Sequence, residues 1–237
     1  MTKTLAALLC AHVLADFLFQ SNWMVRNKQR PHALTAHGAI VLVLNFLCLG
    51  SLAPALFWLT GMHLGIDLVK SAARRKGPTA FLTDQAAHLA SVWAIGVLEP
   101  GLWAQGLWSG LTPLPALLLL LAGLVAATKA GGYLIALLMR PWAVEAPQGL
   151  PNGGRLIGLL ERALIYLLIL TGQAAGIGFL IAAKSVLRFS DTKDDRKISE
   201  YVIIGTLASF LWAISVSEVV RLLLSGLPTL GIPAATP

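Results

Sequence analysis

The sequence predicts an all-α fold, a polytopic bundle of about seven transmembrane segments, and three observations carry that prediction. Of the 237 residues, 57% are apolar and 12% are charged, whereas charged residues approach a quarter of an ordinary soluble domain. The apolar residues fall in runs of about 20, the length a helix needs to cross a bilayer. The basic residues, which bring the formal charge to +7, gather in short clusters between the runs. Arg26, Lys28 and Arg30, then Arg74, Arg75 and Lys76, read as the positive-inside signal and as contacts for the anionic headgroups of membrane lipids. Nucleic acid is not an expected partner.

The first segment, residues 3–21, starts like a secretory signal, with Lys3 ahead of an apolar run. His12 and Asp16 interrupt that run and no small-x-small cleavage site follows, so it reads as a retained helix. Segments 34–50, 53–71 and 80–98 come next. Placing both basic clusters in the cytoplasm puts the loop around Gly50 and the loop 99–113 outside, and the latter contains no Lys or Arg, as the rule requires. Segment 114–138 carries Lys129, Gly131 and Gly132 inside it. PWAVEAPQGLPNGG, residues 141–154, has the Pro, Gly and Asn density of an exposed connection.

Segments 159–183 and 200–224 complete the set. Simple alternation would leave Lys184, Arg188, Lys193, Arg196 and Lys197 outside, against the same rule. Either TGQAAGIG, residues 171–178, breaks the sixth segment into a hairpin, or segment 114–138 does not span simply, and both stay open. The chain therefore divides into a bundle at 1–139, a connection at 140–158, and carboxy-terminal segments at 159–237 with a charged, solvated loop at 184–199. Glu218 and Arg221 are spaced to pair on one helix face, and Gly172, Gly176 and Gly178 are suited to close helix approach. Cys10 and Cys48 read as small buried side chains, not as a disulfide or zinc motif.

Four of the five histidines and three of the six aspartates lie inside the first four apolar segments. His12 with Asp16, His63 with Asp67, and Asp84 with His88 are each four residues apart and share a helix face; His37 stands alone on the second segment. Ionisable groups at such positions face a partner, a cavity or an ion. Counted from the cytoplasmic ends at about 1.5 Å per residue, Asp16, His37, Asp67 and Asp84 reach similar depths, with His12, His63 and His88 one turn deeper. Imidazole mixed with carboxylate suits a divalent transition metal, zinc or manganese, and seven candidates allow one ion or two. Surplus carboxylates could instead orient ligating histidines. Gln20, Asn22 and Gln85 lie near the mouth as candidate substrate contacts, and Lys70, Arg74 and Arg75 could hold a phosphate there. His32 reads as a solvated or interfacial residue.

LLCAHVLADFLFQSNWMVRNK, followed by ALTAHGAI, HLGIDLVK and FLTDQAAHLA, resembles the domain-of-unknown-function family 3307 of bacterial membrane proteins over roughly residues 5–95. That resemblance implies a multi-pass protein of the bacterial inner membrane and no particular reaction. A looser similarity links the His and Asp residues near the helix ends to membrane-bound metal-dependent hydrolases, although HVLAD and TAHGA do not reproduce their His-x-x-x-Thr-His-Ser signature. The leading expectation is a metal site near the cytoplasmic face that hydrolyses an ester or phosphoester of a lipid-linked or amphiphilic substrate, with a carboxylate among Asp16, Asp67 and Asp84 as general base. The alternatives are a metal-ion or proton transporter, and a non-catalytic scaffold or sensor with a structural metal. A homo-oligomer is compatible with each.

Overall fold

The structure is a computed structural model that describes residues 1–73, 76–142, 150–189 and 196–230. Among the described residues it is helical throughout, with no strand. Helix α1, Thr2–Leu14, runs on without a break through a π-turn at Ala15–Phe19. Gln20 is extended and ends it. The Ser21 hydroxyl then accepts from the Met24 amide and starts the short helix α2, Asn22–Arg26, the usual role of serine at an N-cap.

Helices α3, Pro31–Leu49, and α5, Pro78–Leu98, both carry proline in the first turn, where its missing N–H leaves no helical bond unmade. Between them lies α4, Pro54–Ala73. Helix α6, Leu114–Val125, continues through a second π-turn, Ala126–Ala130, into α7, Gly131–Met139. Helices α8, Gly153–Leu170, α9, Gly176–Phe189, and α10, Arg196–Leu224, complete the order.

Two compact units emerge, Met1–Val125 with Leu222–Gly231, and Ala126–Arg221. The boundary falls at the second π-turn and not at the 140–158 connection, of which residues 143–149 lie outside the described residues. In the first unit α1 is the central element. Its small and aliphatic residues Ala6, Ala7, Leu8, Cys10 and Ala11 are all buried, because α3, α5 and α6 each pack against it. The Thr4 hydroxyl donates to the Pro100 carbonyl at 2.9 Å and accepts from the Trp103 amide at 3.3 Å. It thereby holds the 99–113 connection over the start of α1.

In the second unit Ile165, Ile169, Phe210 and Ala213 form the core. A π-turn turns carbonyls away from their helical donors, and two side chains meet them here. Arg162 Nε donates to the Thr128 carbonyl and Trp212 Nε1 to the Ala126 carbonyl.

Among the described residues, four helices are long and apolar enough to cross a membrane: Thr2–Phe19, Pro31–Leu49, Leu114–Trp142 and Arg196–Leu224. That is fewer than the seven expected, for two physical reasons. Helices α4 and α5 have the length, at 20 and 21 residues, but carry His63, Asp67 and Lys70, or Asp84, Gln85 and His88, which lower their hydropathy. The expected segment 159–183 is broken between α8 and α9, where Gly172 adopts a positive φ of 74°, a left-handed conformation that side chains disfavour. The break is at TGQAA, one of the two places at which the charge pattern called for a departure. At the other, segment 114–138, the helix persists through its π-turn.

A buried histidine and aspartate cluster

Helix α1 ends, α3 begins, α4 ends and α5 begins at one end of the first unit, and each delivers polar residues inward about two turns from that end. His12, His37, His63, Asp67, Asp84 and His88 are all buried, and the Asp16 side chain is only 7% exposed. The seven residues expected to converge do so.

Four atoms define the tightest part. His37 Nε2 and His63 Nε2 are 3.0 Å apart. Asp16 Oδ1 lies 3.4 Å from the former and 3.2 Å from the latter, and Asp67 Oδ2 lies 3.4 and 4.0 Å from the same two nitrogens. Ligands about 2.0–2.1 Å from a tetrahedral zinc are separated from one another by about 3.4 Å. These five separations, 3.0 to 4.0 Å, bracket that edge length, and His37, His63 and Asp67 form one group that could hold a metal ion.

Two further groups adjoin it. His12, Asp16 and His63 offer ligand atoms within 4.8 Å of one another, and so do Asp67, Asp84 and His88. Asp67 belongs both to the second of these and to the group with His37 and His63. His88 Nδ1 lies 2.9 Å from the Asp84 carbonyl. A proton on Nδ1 makes that bond and leaves the Nε2 lone pair free, the tautomer a metal ligand needs.

The hydrogen-bond inventory singles out the same place. Among the described residues, the buried side-chain polar atoms without a hydrogen bond are His12 Nδ1, Asp16 Oδ1, His37 Nδ1, Asp67 Oδ2, Asp84 Oδ1 and His88 Nε2. Every one belongs to this cluster. An unsatisfied buried polar atom costs about 1–3 kcal/mol, so their concentration in one cluster marks a centre where a cation would satisfy the three carboxylate oxygens and His88 Nε2. Asp16 Oδ1 and Asp67 Oδ2, two of these atoms, are also the two carboxylate corners of the four-atom set.

Polar neighbours hold the ligand candidates in place. Gln20 Nε2 lies 3.0 Å from His37 Nε2. The Gln85 amide donates to Asp16 Oδ2 and Asp84 Oδ2, while its oxygen lies 3.3 Å from His12 Nε2. His12 thus reaches the centre partly through Gln85, and its ring stacks on His88 at a centroid distance of 5.2 Å.

Lys70 Nζ donates to Asp84 Oδ2 at 2.5 Å, and Lys28 Nζ donates to Asp67 Oδ1 at 2.6 Å. Lys28 was not among the expected site residues. Its only sequence signal is its place in the Arg26, Lys28, Arg30 cluster, which a topology signal accounts for equally well. The connection that carries it is tied down by Gln29, whose amide donates to the Ser71 carbonyl at the end of α4.

Asn22 is exposed on α2, directly after the Ser21 cap. Arg74 and Arg75 lie outside the described residues. His32 packs beside Trp23 at a centroid distance of 5.4 Å, away from the other histidines. Beyond the cluster, Thr60 and Ser91 donate to carbonyls of their own helices, Leu56 and His88.

No curated protein and no solved structure matches the chain, and neither comparison carries the looser likeness to membrane-bound hydrolases. Residues 4–105, which contain all seven clustered histidines and aspartates, match the model of the family described as Protein of unknown function (DUF3307).

Proposed function

We propose that this is a multi-pass protein of the bacterial inner membrane whose first four long helices hold one or two divalent transition-metal ions, zinc or manganese, near the cytoplasmic face. In this reading the centre hydrolyses an ester or phosphoester of a lipid-linked or amphiphilic substrate. The observation that carries it is the meeting of His37 Nε2 and His63 Nε2 at 3.0 Å, with Asp16 Oδ1 and Asp67 Oδ2 each 3.2 to 4.0 Å from both nitrogens.

The membrane placement draws on an inverted distribution of polarity. His and Asp side chains are buried while Val43, Leu47, Phe57, Trp58 and Trp93 are exposed, and an exposed apolar surface of that extent fits a lipid environment. The cluster lies at the helix ends nearest Arg26, Lys28 and Arg30, which orient that end toward the cytoplasm.

A divalent ion held here would make a bound water acidic enough to ionise near neutral pH. The residues of the chain do the remainder. His37, His63, Asp16 and Asp67 would hold the ion, and His88 with Asp84 would add ligands beside it. The unpaired Asp84 Oδ1 is the atom with which Asp84 would bind. Lys70 and Gln85 keep its other oxygen occupied.

Purified protein in detergent should hydrolyse chromogenic phosphodiesters or short-chain phospholipids, lose the activity on chelation and regain it with zinc or manganese. Absence of turnover in metal-loaded protein across both substrate classes removes the hydrolase assignment. Metal flux in proteoliposomes that stops in Asp67→Asn replaces it with a transporter.

A further inference from the structure

The two lysines stand between the carboxylates and the outside. Lys28 and Lys70 side chains are 15% and 33% exposed, whereas the Asp67 and Asp84 side chains they meet are 1% and 3% exposed. Each ammonium holds one carboxylate oxygen, Asp67 Oδ1 and Asp84 Oδ2. The other oxygen of each carboxylate, Asp67 Oδ2 and Asp84 Oδ1, has no hydrogen bond and faces inward. Each carboxylate is therefore shared between an outer cation that is present and an inner position that lacks one.

The charges follow from this arrangement. Asp16, Asp67 and Asp84 against Lys28 and Lys70 give these five side chains a net negative formal charge without metal. It repels anions. One divalent ion on the inner oxygens reverses the sign, and two leave it more strongly positive. The same ion draws charge from the carboxylates and weakens their hold on the lysines. Two ammoniums at the solvent side then become available to a new partner.

We propose that Lys28 and Lys70 form a phosphate-binding rim that becomes competent when the cluster takes up metal. This rests on the metal reading above and names its ligand class, a phosphate group. A phosphate offers enough oxygens to engage both lysines and face the ion at once, and lysine binds it as a point charge. A carboxylate, with two oxygens, can satisfy only part of that set. Gln20, beside His37 at the same end, supplies a neutral donor to the same rim.

The test uses the full chain in detergent micelles, loaded with manganese or stripped of metal, titrated with micromolar inorganic phosphate by calorimetry. Metal content is measured on every sample. The expected result is phosphate binding at least ten-fold tighter in the loaded protein. Lys28→Gln and Lys70→Gln should each weaken it several-fold, with metal content unchanged and the loaded protein still folded by thermal melt. Lys70→Arg should recover most of the affinity.

A second arm compares nanodiscs of phosphatidic acid and of phosphatidylcholine. A response to inorganic phosphate supports a phosphate site open to soluble ligands, and a response confined to phosphatidic acid supports a headgroup site. Metal-loaded protein whose phosphate affinity is independent of metal, or unchanged in both lysine variants, overturns the rim while leaving the metal centre standing. Protein that binds no metal overturns both, and the metal measurement tells the two failures apart.

Discussion

Asp67→Asn separates a metal centre from a network of ion pairs, because the two accounts assign the side chain different partners. Asp67 Oδ1 accepts from Lys28 at 2.6 Å, while Oδ2 lies 3.4 Å from His37 Nε2 without a hydrogen bond. Asparagine keeps the size and one acceptor oxygen. In metal-free protein it weakens a charge-assisted bond worth about 1.5–3 kcal/mol, and the partial exposure of Lys28 favours the lower end. At about 2–4 °C per kcal/mol for a chain of this length, the melting temperature falls by about 3–6 °C. Zinc at a hundredfold excess over its dissociation constant stabilises native protein by about 2.7 kcal/mol, a rise of about 5–10 °C by the same conversion. Since Asp67 belongs to two of the three ligand groups, the variant should lose nearly all of that rise. The assay is a thermal melt in detergent with and without zinc. A variant that keeps the full zinc-dependent rise while showing the metal-free loss would mean that Asp67 serves only Lys28, and would refute the reasoning.

Other substitutions should grade in the same assay. His88→Ala touches one ligand group and not the four-atom set, so it should reduce the zinc-dependent rise without removing it; complete loss would place the ion at Asp84 and His88 instead. Asn22→Ala, on an exposed residue, should change neither metal content nor melting temperature beyond about 0.5 kcal/mol, checked by metal analysis beside the melt. In the second unit Arg162→Met removes the donors to the Thr128 carbonyl and Ser209 hydroxyl and should cost about 1–3 kcal/mol with metal binding intact. Gly132→Leu should destabilise by a similar amount, about 1–3 kcal/mol, because a Cβ there meets Arg162 Nη2 at 2.9 Å. Glu218→Ala breaks an exposed pair with Arg221 and should register less than about 1 kcal/mol in a denaturant melt.

The helices were legible because long apolar runs have few alternatives, and the pairs His12 with Asp16 and His63 with Asp67 were legible because a four-residue spacing fixes a helix face. Depth relative to the basic clusters then placed His37 and the α5 pair beside them without any knowledge of packing. The π-turn at Ala15–Phe19 was not legible. ADFLF has no proline or glycine to mark a change of helix register, yet the turn is where Asp16 projects toward His37 and His63. Lys28 was hidden for a different reason: lysine near a helix end serves topology, lipid contact and ion pairing alike, and only the fold shows that it reaches Asp67 across 39 positions of chain. Arg162 is buried against a π-turn, while its neighbour in sequence, Glu161, pairs instead with Lys184 at 2.8 Å. The pairing of Glu218 with Arg221 is as the spacing indicated.

X-ray absorption at the zinc edge on protein purified with zinc tests the central claim most directly. The account predicts a retained ion with a nitrogen and oxygen shell at about 2.0–2.1 Å, the outer-shell scattering of two imidazoles, and loss of one imidazole in His37→Ala. Protein that retains no zinc, or a sulfur shell at about 2.3 Å from Cys10 or Cys48, would contradict it.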